Sequence, residues 1–216
     1  MRRSGALSLL VGLVLSGGYA GSGDKGSALF FNGKDLEGWH GLTEYWRVEK
    51  GAIVGATPKG LSFNTFLCSK KTYKDFELSF KVKLTKNGNS GVQIRSKIIN
   101  DKTLAVGGPQ CDIGQVYWAC LYGEHYDTKT GKIGGAGGMM KAAPADVVKK
   151  TLREEQFNDY YIKCVGKHVT IKLNGMTTVD DDFNLPEEGI IAWQIHSGGP
   201  MEVIFEQIHF KNLSKE

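Results

Sequence analysis

Residues 76–84 read FELSFKVKL, and this stretch decides the fold class. Apolar side chains occupy every second position, and the positions between them are charged or polar. Because successive side chains of a β-strand point to opposite faces, this period of two predicts a strand with one buried and one solvated face. The turn-forming residues 86–89 (KNGN) end it, and Val92 and Ile94 belong to a second strand of the same kind.

The same alternation returns in the C-terminal part of the chain. Further strands are predicted at residues 160–165, 169–173, 176–179, 189–196 and 203–210. Asn174-Gly175 is a strong hairpin-turn signal between two of them. Only residues 144–152 read as a helix, and residues 97–141 are expected to hold most of the irregular chain. The pattern predicts an all-β sandwich.

Composition narrows the class of protein. The chain has 216 residues, of which 41% are hydrophobic and 23% are charged, as in an ordinary globular protein. Its net charge of +4 is not gathered into a basic patch, so no nucleic-acid partner is predicted. We expect residues 28–214 to form one domain, because sandwiches of this length often do.

The N-terminus resembles an export signal. Arg2 and Arg3 precede the apolar residues 6–15, and small residues lead to Ala20, which is the pattern of a cleavable signal peptide over residues 1–20. The apolar run is too short to span a membrane. We expect cleavage after Ala20, a flexible linker over residues 21–27, and a periplasmic or extracellular protein without a membrane span.

Export would permit disulfides among the cysteines at positions 68, 111, 120 and 164. We favour buried free thiols that act as small hydrophobic residues. If one pair is bridged, Cys111 and Cys120 are the candidates, since a hairpin would place them opposite each other.

Several segments together resemble one family. They are residues 29–39 (LFFNGKDLEGW), 46–51 (WRVEKG), 73–78 (YKDFEL), 89–95 (NSGVQIR), 157–160 (FNDY), 173–175 (LNG), 189–196 and 205–213. In order and spacing they are similar to the landmarks of the DUF1080 family, also called the 3-keto-disaccharide hydrolase or 3-keto-glucoside lyase/hydratase family.

The resemblance implies a concanavalin A-like lectin/glucanase jelly roll of two antiparallel sheets, one of them curved around a carbohydrate. It also implies a reaction: cleavage of a glycoside whose C3 hydroxyl is a ketone, by elimination and then hydration. Many relatives have Gly-Pro-Glu-Tyr-Gln where this chain has GPQCD at 108–112. The acidic residue thus lies two positions later, which keeps a carboxylate on the same strand face.

Side-chain alternation suggests which residues face a binding groove. If Val92 and Ile94 point into the core, their neighbours on the strand point outward, and the same reasoning applies to residues 110–113 and 193–196. We predict Asp112 as the base or substrate anchor, Arg95 as the cation beside it, and His196 as the acid–base partner. Arg95 and Asp112 could instead pair on a solvated sheet face, and His196 could brace a turn.

Other residues are predicted to bind the saccharide. They are Asn89, Ser90, Gln93, Gln110, Trp118, Glu124 and Gln194. Trp118 would stack on a sugar ring, whereas Trp39 and Trp46 are expected to be packed in the core. Glu124 could equally belong to a loop surface.

No cofactor is predicted. The run at residues 180–182 (DDD) could hold a divalent cation at a turn, although a solvated acidic turn is the simpler interpretation. The oxidised saccharide or glycoside is the only partner that we predict. A non-catalytic carbohydrate-binding module and a structural sandwich remain as alternatives, because a fold does not determine a function.

Overall fold

The computed structural model describes residues 29–214. Most of these residues lie in two antiparallel sheets of seven strands each, which pack face to face. The first sheet, in spatial order, consists of β1 (Trp39–His40), β4 (Thr65–Tyr73), β15 (Gly189–Ile195), β6 (Asn89–Asn100), β7 (Ala105–Gly114), β8 (Leu121–Glu124) and β11 (Gly138–Lys141).

The second sheet has the strand of residues 76–84 at its centre. In spatial order it consists of β14 (Met176–Asp182), β13 (His168–Leu173), β12 (Asn158–Val165), β5 (Phe76–Leu84), β16 (Met201–Asn212), β3 (Ala52–Thr57) and β2 (Trp46–Glu49). A separate ribbon pairs β9 (Tyr126–Asp127) with β10 (Lys132–Ile133), and the helix α1 covers Ala145–Thr151.

The core lies between the two sheets. The predicted buried face of β5 is confirmed: Phe76, Leu78, Phe80, Val82 and Leu84 are all buried. Phe80 stacks on Tyr160 of the same sheet with 5.2 Å between ring centroids, and it meets Trp193 of the opposite sheet edge-on at 5.1 Å. The contact with Trp193 helps to hold the two sheets together, because large aromatic side chains bury much apolar area.

The predicted strands of the C-terminal part are confirmed, as are the helix and the packed Trp39 and Trp46. The expectation that residues 97–141 hold most of the irregular chain is wrong, since the end of β6 and all of β7, β8, β9, β10 and β11 lie there. Glycines and Pro109 hide the alternation in β7. Gly107 is needed because a Cβ there would come within 2.8 Å of Ile133.

All four cysteines are buried and free, which confirms the favoured interpretation. No helix within residues 29–214 has the length and hydropathy needed to cross a bilayer. The expected signal peptide and linker lie outside the described residues.

Candidate functional site

Three neighbouring strands of the first sheet, β15, β6 and β7, place polar side chains on the face that points away from the core. Their alternate residues confirm the predicted inward face: Val92, Ile94, Cys111, Ile113, Trp193 and Ile195 belong to the core. The outward positions include Gln110 and Asp112 of β7. The alternation of the strands therefore positions the candidate site.

Gly91 makes room for the central side chain of this face. It lies opposite Asp112 in the pairing of β6 with β7, and a Cβ at Gly91 would come within 2.6 Å of the Gln110 side chain. Gln110 can therefore lie across β6. Its amide group is 2.6 Å from Asp112 Oδ1 and 3.1 Å from the amide of Gln194 on β15.

Asp112 is a buried carboxyl group with an unusual pKa. Its side chain is only 4% exposed, and burial raises its pKa from 3.8 to about 7, because removal from water disfavours the charged form. Hydrogen bonds from Gln110 and Cys120 oppose this rise, and the nearby charge of Glu124 adds to it. The Cys120 thiol is 3.7 Å from Oδ2. Asp112 can therefore exchange a proton near neutral pH.

The second sheet fixes the backbone at this point. The buried hydroxyl of Tyr160 donates a hydrogen bond of 2.9 Å to the carbonyl oxygen of Asp112. Its ring stacks on Phe80 in the core. The position of the carboxyl group is thus tied directly to the packing between the sheets.

An open cleft of about 120 Å³ lies over Asp112, which is below the usual size range of small-molecule sites. We call it the Asp112 cleft. It is lined by Asn89, Gln110, Asp112, Tyr117, Tyr122, Glu124 and His196. Five of the predicted site residues are therefore brought together, and the lining is predominantly polar.

His196 and Glu124 are held by fixed partners at the rim of the Asp112 cleft. His196 Nδ1 lies 2.7 Å from the carbonyl oxygen of Ser197. A carbonyl can only accept, so Nδ1 carries a proton and Nε2 of the neutral ring is free to accept one. Asn64 donates a hydrogen bond of 3.2 Å to the Glu124 carboxylate.

The prediction that Arg95 is the cation beside Asp112 is wrong. Arg95 is 2% exposed, and its guanidinium pairs with Asp75 at 2.9 Å. It also donates to the carbonyl oxygens of Lys74, Gly166 and Pro186. The cause is local: Arg95 has a φ of 45°, and the β6–β7 register shifts between Gln93 and Lys97. This bulge breaks the alternation, so Arg95 links β6 to the second sheet instead.

Two predicted substrate-binding residues also lie elsewhere. Ser90 is fully buried and donates a hydrogen bond of 2.7 Å to the carbonyl oxygen of Gln194. It faces inward because it alternates with Asn89 along β6. Trp118 is 7% exposed and packs in the core. It lines a second pocket together with Leu84 and Leu152. Neither of them lines the Asp112 cleft.

Gln93 and Gln194 are both fully buried and contact Gln110 rather than the open cleft. Tyr117 and Tyr122, which were not predicted from the sequence, line the cleft with their rings 6.1 Å apart and at 68° to each other. Their proximity to Asp112 in sequence was the available signal, but Trp118, which lies between them in the chain, was predicted to bind the sugar instead.

Within residues 29–214, His, Cys, Asp and Glu side chains form no group of three or more suited to a metal ion. The acidic run at the end of β14 is exposed and already paired. His168 lies 3.1 Å from Asp180 and 2.7 Å from Asp182, and Lys141 lies 3.0 Å from Asp181. These pairings agree with a solvated acidic segment.

The sequence of residues 26–214 matches the model of the 3-keto-alpha-glucoside-1,2-lyase-like domain, which is the DUF1080-type family. The chain belongs to this family. No curated protein sequence matches it.

Solved structures agree with the fold. A "putative glycosyl hydrolase" from Parabacteroides distasonis is 21% identical with a TM-score of 0.60, over 83% of this chain and 96% of that chain. The carbohydrate binding module CBM66 from Bacillus subtilis is 14% identical with a TM-score of 0.53, over 81% of this chain and 96% of that one. The fold is therefore the lectin/glucanase-like jelly roll that the resemblance implied.

Proposed function

We propose that this chain cleaves glycosides whose C3 hydroxyl has been oxidised to a ketone, by elimination followed by hydration, with net hydrolysis. Membership of the family supports the substrate class. The observation that carries the proposal is the buried Asp112 carboxyl group, with a pKa of about 7, in the same cleft as His196. Groups that titrate near the working pH are effective general acids and bases.

The reaction needs two proton carriers. A ketone at C3 acidifies the proton on C2, and one group removes that proton while the electron pair forms the enolate. The C1–O bond then breaks, and the second group gives its proton to the departing oxygen. Asp112 and His196 are the pair that we assign to these two steps, because both line the Asp112 cleft.

Hydration restores both groups. Water adds its oxygen to C1 and gives a proton to the group that had protonated the leaving oxygen. C2 recovers a proton from the group that had removed one. All protons balance over the two halves of the reaction, and no oxidant or reductant is consumed.

The enolate oxygen needs hydrogen-bond donors. Tyr117 and Tyr122 are the candidates, since both line the Asp112 cleft. Burial raises the pKa of Tyr122, and Glu124 adds to this effect, so the phenol keeps its proton for donation.

The test uses a panel of 3-keto-glucosides with a chromogenic leaving group, assayed in D₂O. We expect release of the leaving group and one solvent deuterium on C2 of the freshly formed product, because the group that removed the C2 proton exchanges it with solvent before it returns one to C2. A parallel sample without protein measures spontaneous exchange. Release without deuterium at C2 would instead indicate direct hydrolysis, and absence of release would refute the proposed activity.

A non-catalytic carbohydrate-binding module is the second candidate. It is favoured by one observation: among the described residues that line the Asp112 cleft there is no lysine or arginine to stabilise an enolate. On this hypothesis the protein binds saccharides but does not turn them over. Asp112→Asn should then change affinity by no more than about 1–3 kcal/mol, the scale of a hydrogen bond to a charged group.

A further inference from the structure

Three glutamines stand side by side beneath the Asp112 cleft, one on each of its three strands. Gln194 of β15, Gln93 of β6 and Gln110 of β7 are each at most 2% exposed. Gln93 is 2.9 Å from Gln110, which is 3.1 Å from Gln194 and 2.6 Å from Asp112 Oδ1. We call these three amides the glutamine relay. Each amide has a donor end and an acceptor end, so the orientation of one amide determines the orientation of its neighbour.

An ionised Asp112 forces one orientation on the glutamine relay. The carboxylate can only accept, so the Gln110 nitrogen must point to it, and the Gln110 oxygen must accept from the Gln93 nitrogen. The Gln93 oxygen then accepts a hydrogen bond of 2.7 Å from the Ser96 hydroxyl, but it also lies close to the carbonyl oxygens of Gly108 and Pro109, which cannot donate. The Gln194 nitrogen is left buried without a hydrogen-bond partner among the described residues.

The opposite orientation gives partners to more of the buried N–H groups. The Gln93 nitrogen then faces the Ser96 hydroxyl at 2.7 Å and the carbonyl oxygens of Gly108 at 3.3 Å and Pro109 at 3.2 Å, and its oxygen faces Gln110. Gln110 turns its nitrogen to Gln93, and its oxygen accepts from the nitrogen of Gln194. The atom of Gln194 that stays unpaired is then an oxygen, and unpaired buried oxygens are tolerated better than unpaired N–H groups.

In this orientation the Gln110 oxygen takes the place of the nitrogen, which lies 2.6 Å from Asp112 Oδ1. Two oxygen atoms so close require a proton between them, and the distance is typical of O–H···O contacts but short for N–H···O. The orientation that satisfies the glutamine relay is therefore the one that accepts a hydrogen bond from a protonated Asp112.

We propose that the glutamine relay is a positioning device that holds Asp112 as a neutral acid, so that Asp112 is the proton donor of the site and His196 Nε2 is the base. This inference rests on the proposed function for the meaning of the two roles. In the elimination step Asp112 gives its proton to the leaving oxygen and His196 gains the C2 proton, and hydration reverses both transfers.

The other ionisable groups around Asp112 agree with this assignment. They are Glu124 of β8, Tyr122 of β8, Tyr117, Cys120 and His196. The charge of Glu124 adds to the effect of burial in raising the pKa of Asp112. Burial also raises the pKa of Cys120 and of Tyr122, so both stay neutral beside it.

The test measures the side-chain carboxyl carbon of Asp112 by ¹³C NMR titration between about pH 4 and pH 10. We expect titration at about pH 7 in the unaltered protein. Gln93→Met keeps the volume but removes the group that orients Gln110, which can then donate to the carboxylate. The pKa of Asp112 should fall by about 1 to 2, and the alkaline limb of the kcat/KM profile should move with it.

Gln207→Met is the matched control, because Gln207 is exposed on the second sheet, and it should leave the pKa of Asp112 unchanged. Gln194→Met replaces Gln93→Met if the latter does not fold. An unaltered protein in which Asp112 titrates near about 4 overturns the glutamine relay. So does an unchanged pKa in the folded relay variant, since burial alone would then be the cause. A shifted pKa without turnover of any ketoglucoside would refute the proposed function and leave the relay standing.

Discussion

Asp112→Asn should make the protein more stable at alkaline pH. The folded state raises the pKa of this carboxyl from 3.8 to about 7, so between these values the folded protein binds a proton that the unfolded chain has lost. Stability from this group is therefore fully present at acidic pH and declines as the pH rises through that window. Asparagine has nearly the same shape and no charge to bury.

The pKa difference sets the size of the effect. At about 1.4 kcal/mol for each pH unit, it corresponds to a loss of about 4 kcal/mol between pH 4 and pH 8, as an upper limit. The side chain is 4% exposed, so solvent screening reduces this value little. Other carboxyl groups titrate in both proteins and cancel in the comparison.

The assay is urea unfolding of both proteins at several pH values from about 4 to 8. We expect similar stabilities at the acidic end and a difference at pH 8 that favours Asp112→Asn by up to about 4 kcal/mol. Asp101→Asn, the same change at an exposed position, should stay within about 0.5 kcal/mol of the unaltered protein throughout. A difference between Asp112→Asn and the unaltered protein that does not vary with pH would refute the reasoning.

Four further outcomes are expected. Phe80→Ala should lower the free energy of unfolding by about 3–5 kcal/mol in denaturant titrations, and a loss below about 1 kcal/mol would contradict its place in the core. Gly91→Ala should displace Gln110 and weaken saccharide binding in calorimetry, while unchanged affinity would show that Gln110 is dispensable. Asp112→Asn should lower turnover of a 3-keto-glucoside by about 10²-fold or more, and unchanged turnover would exclude a catalytic role for Asp112. We also propose that the chain is exported and that the mature protein begins near Gly21; native protein that retains Met1 in N-terminal sequencing would refute this.

The sequence was informative wherever alternation ran without interruption. In β5 and β13 each apolar position lies in the core, and in β12 Tyr160, Ile162 and Cys164 do, because a strand with one wet face must alternate. The same rule correctly turned Gln110 and Asp112 of β7 away from the core. It failed at β6, where the bulge at Arg95 reverses the faces over a few residues. Nothing in the local sequence distinguishes this arginine from one on a regular strand.

Contacts between distant segments decided the rest of the site. The sequence alone provided the residue types of a saccharide site and the family resemblance. It also indicated which positions along each strand carry polar, outward-facing side chains. Only the tertiary structure paired Arg95 with Asp75, buried Trp118 and aligned three glutamines from three strands. Burial and amide orientation depend on all the neighbours of a side chain, and these neighbours can be far apart in the chain, as are Gln110 and Gln194, which lie 84 positions apart. For this reason the chemical character of Asp112 was fixed by packing, whereas its strand and its face were already set by the alternation of its neighbours.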